Sequence, residues 1–376
     1  MCRRCLERFV VPIGPNLSNL VEKKRRLCGS FKAALKPLVL AKSIWRTIGM
    51  NKFVRYSLMA ALLTGVGLVG SASAQDEDSM RAPIIHPMNE RGADHFVKSK
   101  GINLEAGPTG KVLTEGSTGV ATPNMTYHGG ALIQTPVIYL IWYGNWNQSN
   151  GSDTPAGQQI IRDWAHSIGG SPYFQLNQTA SAGGFTITGN VTFGGEATDT
   201  GSQGTRLRDS GVFAVVTRAI NNGLLPFDAN GVYFVLTSTN ISEQSGFCSR
   251  YCGWHTSGTS SGRDIRFSFV GNANRCLNGC SAQTTSPNGN AGVDGMISVM
   301  SHELEESTTD PDLNAWFDSN GAENGDKCAW TFGHAQTQLP SGAFYNVTLG
   351  SRNFLIQRNI KITSSGDFCM MNSTQN

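Results

Sequence analysis

Hydrophobic residues follow two kinds of spacing along the second half of the chain, and the changes between them predict strands alternating with helices. Stretches that are continuously apolar, or that alternate apolar with polar residues, predict strands at residues 135–146, 185–193, 231–238, 263–271 and 354–362. Apolar residues at helical spacing predict helices at 155–170 and 205–223. The stretch between 238 and 263 is interpreted as a loop that holds Cys248 and Cys252.

A further helix is predicted over residues 291–311, with the sequence AGVDGMISVMSHELEESTTDP. Its apolar residues fall on one helical stripe, and Pro311 stands just past its end; the stripe consists of Val293, Met296, Ile297, Met300 and Leu304. Beside the stripe lies a His-Glu-x-x-Glu pattern formed by His302, Glu303 and Glu306. The candidate chemistry of the chain is concentrated in this helix.

The order of these elements predicts an α/β (α+β) fold, a mixed β-sheet with flanking helices, and one globular domain at residues 131–376. The order is similar to that of zinc proteases, which predicts a zincin-like core with the His-Glu helix packed on the sheet. Residues 75–130 are polar, rich in Gly, Thr and Pro, and are interpreted as a flexible arm or propeptide. An extended segment that clasps the domain is the alternative.

Charge is distributed unevenly between the N-terminal stretch and the rest of the chain. Residues 1–55 carry thirteen Lys and Arg against two acids, whereas the remainder carries seventeen bases against twenty-five acids. Residues 50–74 have basic residues, an apolar run and then Ala-Ser-Ala, which predicts a secretory signal peptide too short for a stable membrane span. Residues 1–49 are interpreted as a mis-assigned upstream extension, and an exported protein is not expected to bind nucleic acid.

Cysteine usage agrees with export. Six cysteines follow the predicted signal peptide: Cys248, Cys252, Cys276, Cys280, Cys328 and Cys369. An even number in an oxidising compartment predicts up to three disulfides, although six cysteines allow fifteen pairings. Zinc binding by the two C-x-x-x-C pairs is the disfavoured alternative.

Several stretches resemble the EXORDIUM or phosphate-induced protein family of secreted proteins. They are VIYLIWYGNW, GFCSRYCGWH, FVGNANRCLNGC and GVDGM, in that order along the chain. The resemblance implies an extracellular or cell-wall-associated protein. After GVDGM the chain departs from the plant members and looks more like microbial relatives, in which a His-Glu helix precedes a TDP turn and a G-x-E-x-x-D segment.

Residues four apart share a helix face, so His302 and Glu306 can direct a ring nitrogen and a carboxylate oxygen at one point. In H-E-x-x-H metalloproteases, residues i and i+4 bind zinc and the intervening Glu takes a proton from metal-bound water. The pattern therefore predicts Zn²⁺ bound by His302 and Glu306, with Glu303 as the general base.

A catalytic zinc usually has three protein ligands and one open position. Glu323, in the segment GAENGDKC, is the predicted third ligand, and Asp326 in the same segment is expected to orient the site. Asp310 and Asp312 are alternative ligands.

Nine acids and no Lys or Arg lie between residues 294 and 326. Such a density of like charge requires solvation, protonation or a cation. Two alternatives to a catalytic zinc stay open: a structural Ca²⁺ site on Asp310, Asp312 and Asp318, and a solvated acidic face. His255, in CGWHTSG, is interpreted as a packed or surface residue rather than a ligand.

The sequence predicts a secreted metal-dependent hydrolase, a zinc peptidase that acts on a peptide or protein substrate. The alternative is a non-catalytic extracellular protein of EXORDIUM type, with a structural cation site and a cell-wall polymer as its partner.

Overall fold

The computed structural model describes residues 120–333 and 335–374, together with two short strands at 84–85 and 96–98. The predicted upstream extension, the signal peptide and most of the predicted arm lie outside the described residues. Within the part of the chain that is described, no helix combines the length and the apolar character needed to cross a membrane.

The strands of the described residues are numbered in chain order. They are β1 (Ile84–Ile85), β2 (Phe96–Lys98), β3 (Val120–Ala121), β4 (Thr126–Tyr127), β5 (Val137–Tyr143), β6 (Thr192–Asp199), β7 (Arg206–Leu207), β8 (Gly231–Thr237), β9 (Ser242–Glu243), β10 (Tyr251–Ser260), β11 (Arg263–Gly271), β12 (Trp316–Phe317), β13 (Thr337–Gln338), β14 (Phe344–Tyr345), β15 (Val347–Leu349), β16 (Arg352–Phe354), β17 (Asn359–Thr363) and β18 (Gly366–Met370).

The helices of the same residues include α-helices and two short 3₁₀ helices. The α-helices are α1 (Pro155–Ala165), α2 (Asp209–Asn221), α3 (Leu277–Cys280), α4 (Ala291–Thr309) and α5 (Asn324–Lys327), and the 3₁₀ helices are Phe174–Ala180 and Ala273–Arg275. Helix α1 begins as the sequence predicts, because Pro155 follows Thr154, whose side chain accepts a hydrogen bond from the Gly157 N–H.

A mixed sheet forms the centre of the molecule, as predicted. Its strand order is β1-β10-β11-β8-β5-β6, and β2 also pairs with β10. Strands β11, β8, β5 and β6 run parallel to one another, whereas β10 is antiparallel to β11, β1 and β2. Strand β10 therefore marks the change from the parallel half of the sheet to its antiparallel edge.

Three predicted strand assignments are wrong. The strand predicted at 354–362 is interrupted, because β16 ends at Phe354, residues 355–358 are not in a strand and β17 begins at Asn359. The stretch taken as a loop contains the ten-residue strand β10, whose glycines, serines and cysteine hide its strand character. The strand predicted at 185–193 begins only at Thr192 and continues through Gly194 to Asp199. Gly194 is required there because an added Cβ would lie 2.5 Å from the Tyr139 ring, where the β5–β6 register shifts.

The six cysteines that follow the predicted signal peptide form three disulfides, as expected for an oxidising compartment. Cys248 pairs with Cys276 and Cys252 with Cys280, which ties the start of β10 to the segment that precedes α4. The third disulfide joins Cys328, just after α5, to Cys369 in β18. Zinc binding by the C-x-x-x-C pairs is therefore wrong, because each of these sulfurs is already bonded to another.

Helix α4 lies at the centre of the packing. The Asn290 side chain caps its start by accepting a hydrogen bond from the Val293 N–H, and every residue from Gly292 to Thr309 is buried. The helix packs against β10 and β11 on one side and against α1 and α5 on others. A helix covered on all sides has no solvated face, so its acids lie in the protein interior.

Candidate metal centre

The acidic residues of α4 are buried because the apolar stripe and the polar face of the helix are both covered. His302, Glu303, Glu305 and Glu306 all have 0 % of their surface exposed. A solvated acidic face is therefore excluded. Buried charges of one sign need donors, protons or a cation to compensate the lost hydration.

Strand β10 brings a second imidazole to these acids. His255 lies two residues beyond Gly253, so both are on the face of the strand directed at α4. A Cβ on Gly253 would lie 2.5 Å from Val299 Cγ1 and 3.2 Å from Glu303 Oε1. Glycine at this position lets the strand approach the helix closely enough for His255 to reach Glu303 and Glu306.

The first ligand group consists of His255, Glu303 and Glu306. His255 Nδ1 lies 3.4 Å from Glu303 Oε2 and 3.3 Å from Glu306 Oε2. Neither approach has hydrogen-bond geometry, and Nδ1 and both Glu303 carboxylate oxygens have no hydrogen-bond partner. Three buried ligand atoms thus converge on one point without bonding to one another.

The opposite nitrogen of the His255 ring faces different groups. Nε2 lies 3.4 Å from the backbone oxygen of Asp310 and 3.6 Å from Glu323 Oε1. An imidazole that binds metal through one nitrogen commonly donates its other N–H to a carboxylate or carbonyl. Glu323, the predicted third ligand, thus faces the other ring nitrogen of His255 and lies outside the first ligand group.

The second ligand group consists of His302, Glu306 and Asp326. His302 Nε2 lies 2.9 Å from Glu306 Oε1 and 3.7 Å from Asp326 Oδ1. The Asp326 N–H donates to Glu306 Oε1 at 2.9 Å, which fixes that carboxylate. Helix α5 can pack this closely because its Gly325 has no Cβ, which would lie 2.8 Å from His302 Cδ2.

The pKa values show how strongly these groups depend on compensation. Burial raises the pKa of Glu303 to about 7, and burial together with the charge of Glu306 raises that of Asp326 to about 8. Burial would also raise the pKa of Glu306, but His302 and His255 hold it at about 2. Burial lowers the pKa of each histidine, and the surrounding carboxylates raise both well above the usual value.

The donor atoms of both ligand groups are of the kinds that bind a divalent metal ion. Imidazole nitrogen and carboxylate oxygen are both ligands of zinc and related transition ions. The oxygen and nitrogen atoms of the first group that lack hydrogen-bond partners are the atoms that such an ion would contact.

Other predicted ligands do not join either group. Arg266 binds Asp312 through two hydrogen bonds of 2.9 and 2.8 Å, and Lys327 forms a salt bridge with Asp318. Asp310 Oδ1 accepts the Ala315 N–H, although the Asp310 carbonyl faces His255. Among the described residues the carboxylates of Asp310, Asp312 and Asp318 form no common ligand group, so the predicted calcium site is not assembled.

His255 is the site residue that sequence reasoning set aside. Its segment looked like a cysteine loop, and a single His among small and aromatic residues gave no ligand spacing. The available signal was Gly253, two residues before it, which together with a strand assignment would have indicated a close backbone approach.

The family described as "Phosphate-induced protein 1 conserved region" matches residues 125–358. Protein EXORDIUM-like 3 of Arabidopsis thaliana is 30% identical over 288 residues, which cover 65% of this chain and 81% of the relative. Protein EXORDIUM-like 5 of the same plant is 31% identical over 286 residues, or 65% of this chain and 76% of the relative. No solved structure matches the chain.

Proposed function

Because the chain belongs to the phosphate-induced protein 1 family, we propose that it is a non-catalytic extracellular protein in which the His-Glu helix binds a buried divalent cation for stability. His255, Glu303 and Glu306 hold the ion, and Glu323 orients His255. The cation then joins strand β10 to helix α4. A cell-wall polymer is the partner proposed for its outer surface.

One observation carries the structural role of the cation. The three ligand side chains are at most 1 % exposed. Three protein ligands match the count of a catalytic zinc, but a catalytic metal also keeps its open position accessible to water and substrate, whereas these ligands are shut off from solvent. Enclosure by helix and sheet is what a structural ion requires.

Ligand spacing supports Zn²⁺ over Ca²⁺. Zinc bonds of 2.0–2.1 Å in a tetrahedron place neighbouring ligand atoms about 3.3 Å apart, close to the 3.3 and 3.4 Å separations around His255 Nδ1. Calcium takes six to eight oxygen ligands at longer distances. The nitrogen ligand and the short separations both favour the smaller ion.

Three disulfides support the extracellular location, since such bonds persist in oxidising compartments. Export of the chain is tested by expressing it with its own N-terminus and sequencing the secreted protein. The proposal expects a mature N-terminus near Gln75.

The structural role is tested by thermal unfolding of the purified secreted chain, with zinc present and after chelation. An ion at about 1,000 times its Kd stabilises by about 4 kcal/mol, which corresponds to a shift in Tm of about 10 °C for a domain of this size. Zinc should restore the Tm of the chelated protein and calcium should not. An unchanged Tm after complete metal removal would overturn the proposal.

A second candidate function, the metal-dependent hydrolase, is favoured by the position of β2. This strand pairs with β10 at Tyr251, Gly253 and Trp254, beside His255, and its backbone comes within 8 Å of α4 and α5. If the N-terminal segment is a propeptide, its removal would open the centre, and Glu303 would act as a base instead of a ligand.

The hydrolase candidate is tested by cleaving the folded chain at an engineered protease site between residues 100 and 118. After separation of the N-terminal piece, peptide hydrolysis that Glu303→Gln abolishes would establish the enzyme. Absence of hydrolysis from a metal-loaded, cleaved protein supports the non-catalytic proposal.

A further inference from the structure

We infer that the centre binds two divalent cations, bridged by the carboxylate of Glu306. This inference rests on the proposed cation centre and extends it with a second position formed by His302, Asp326 and Glu306. The second ion belongs to the same chemical class as the first, a transition ion that accepts imidazole and carboxylate ligands.

The two oxygens of Glu306 face different ligand groups. Oε2 lies 3.3 Å from His255 Nδ1, and Oε1 lies 2.9 Å from His302 Nε2. In two-metal sites the ions are about 3.5–4 Å apart, a spacing that a single carboxylate can span with one oxygen on each ion. Glu306 is the one residue shared by both groups.

His302 supplies evidence for the second ion that is independent of the acids around it. Its side chain is fully buried, and neither ring nitrogen has a hydrogen-bond partner. Nε2 lies 2.9 Å from Glu306 Oε1 but without hydrogen-bond geometry. The ring therefore faces the acids without forming a hydrogen bond to them. A metal ion bound by Nε2, Glu306 Oε1 and Asp326 Oδ1 would give this nitrogen the partner that it lacks.

The charge of the centre also allows two ions. Four carboxylates surround the two imidazoles, those of Glu303, Glu306, Glu323 and Asp326, and the nearest basic residue of their segment, Lys327, is paired with Asp318. Metal binding requires ionised carboxylates and neutral imidazoles, and in that state two divalent ions balance the four negative charges. Glu305 has its own donor, the Tyr173 hydroxyl, and stands outside both groups.

The second position joins different parts of the fold from the first. The first ion joins β10 to α4, while the second joins α4 to α5, directly before the Cys328–Cys369 disulfide. Gly325 permits this, because a side chain there would press on His302 and Glu306.

The test measures metal content of the full secreted chain by elemental analysis and then records the electron paramagnetic resonance spectrum after exchange to Mn²⁺. Two ions per chain with magnetically coupled spectra are expected. Asp326→Asn should retain one ion with the uncoupled spectrum of isolated Mn²⁺. Glu305→Gln is the matched control on the same helix and should retain both ions.

Each other result has a distinct meaning. One uncoupled ion in the unmodified chain overturns the second position and leaves the proposed function intact, while no ion at all overturns both. Two ions in Asp326→Asn would place the second ion elsewhere and overturn the inference. The measurement on the unmodified chain decides the question even if the variant fails to fold.

Discussion

Two buried acidic regions of this molecule compensate their charge in opposite ways. Asp153, in the turn before α1, is 0 % exposed and accepts hydrogen bonds from neutral donors only; the donors are Gln148 Nε2, Asn150 Nδ2, Asn272 Nδ2, and the backbone and hydroxyl of Thr239. Glu303 is equally buried, yet neither of its oxygens accepts a hydrogen bond.

The two carboxylates need different kinds of stabilisation. A carboxylate that accepts several hydrogen bonds keeps its charge without any counter-ion. A carboxylate with none needs a proton or a cation in the same place. Asp153 therefore belongs to a self-sufficient polar network that joins the ends of β5, β8 and β11, whereas the centre on α4 needs protons or the proposed cation.

The largest effect is expected at Asp153. Asp153→Ala removes the acceptor of five hydrogen bonds, of which only the one from Asn272 has a fully buried donor. Hydrogen bonds to a charged group contribute about 1.5–3 kcal/mol each, so we expect a loss of about 4 kcal/mol or more. Urea unfolding with and without chelator measures it. The loss of stability should be the same with and without chelator, because no ion is involved. A loss that depends on chelator would contradict the claim that Asp153 is stabilised by neutral donors alone.

Glu303→Gln should show the opposite dependence. With zinc present the variant loses a ligand, and we expect a loss of about 3 kcal/mol, as for breaking a buried charge pair. In chelator the sign should reverse, because glutamine removes one uncompensated negative charge from the interior. The same urea titration measures both values, and a loss of equal size in both conditions would contradict the account.

Glu323→Gln tests which group orients the His255 ring through its Nε2 atom. Residues that orient a ligand through its second nitrogen typically change metal affinity 10–100-fold, which corresponds to about 1.4–2.7 kcal/mol of binding free energy. Competition with a chromophoric zinc chelator measures the Kd. An unchanged Kd would show that Asp310 alone orients the ring.

The smallest effect is expected outside both regions. Glu196 forms a partly exposed ion pair with Arg162, and such pairs contribute about 0–1 kcal/mol. Glu196→Gln is a charge-matched control for Glu303→Gln and should cost less than about 1 kcal/mol, with or without chelator. A large or metal-dependent loss there would mean that the chelator acts on the fold in general.

Much of this arrangement could be predicted from residue spacing. The apolar stripe of α4, the i and i+4 placement of His302 and Glu306, and the even number of cysteines after the predicted signal peptide each follow from local rules. The mixed sheet and the family resemblance are confirmed. The zincin-like core, the peptidase activity and the boundaries of the N-terminal segments stay predictions.

The remainder depends on contacts between distant parts of the chain. His255 enters the centre because β10 is an inner strand held between β11 and two short N-terminal strands, and no local pattern marks that pairing. Glu323 precedes the single turn of α5 and Asp326 lies within it, so this turn determines which imidazole each acid faces. The sequence placed both acids in one segment but could not say which imidazole each would face.

The most direct test is X-ray diffraction from crystals of the secreted chain, with data collected above and below the zinc absorption edge. The account predicts an anomalous peak about 2.0–2.2 Å from His255 Nδ1 and from the facing oxygens of Glu303 and Glu306. Crystals grown with zinc in which these side chains keep their positions and no anomalous peak lies between them would contradict it.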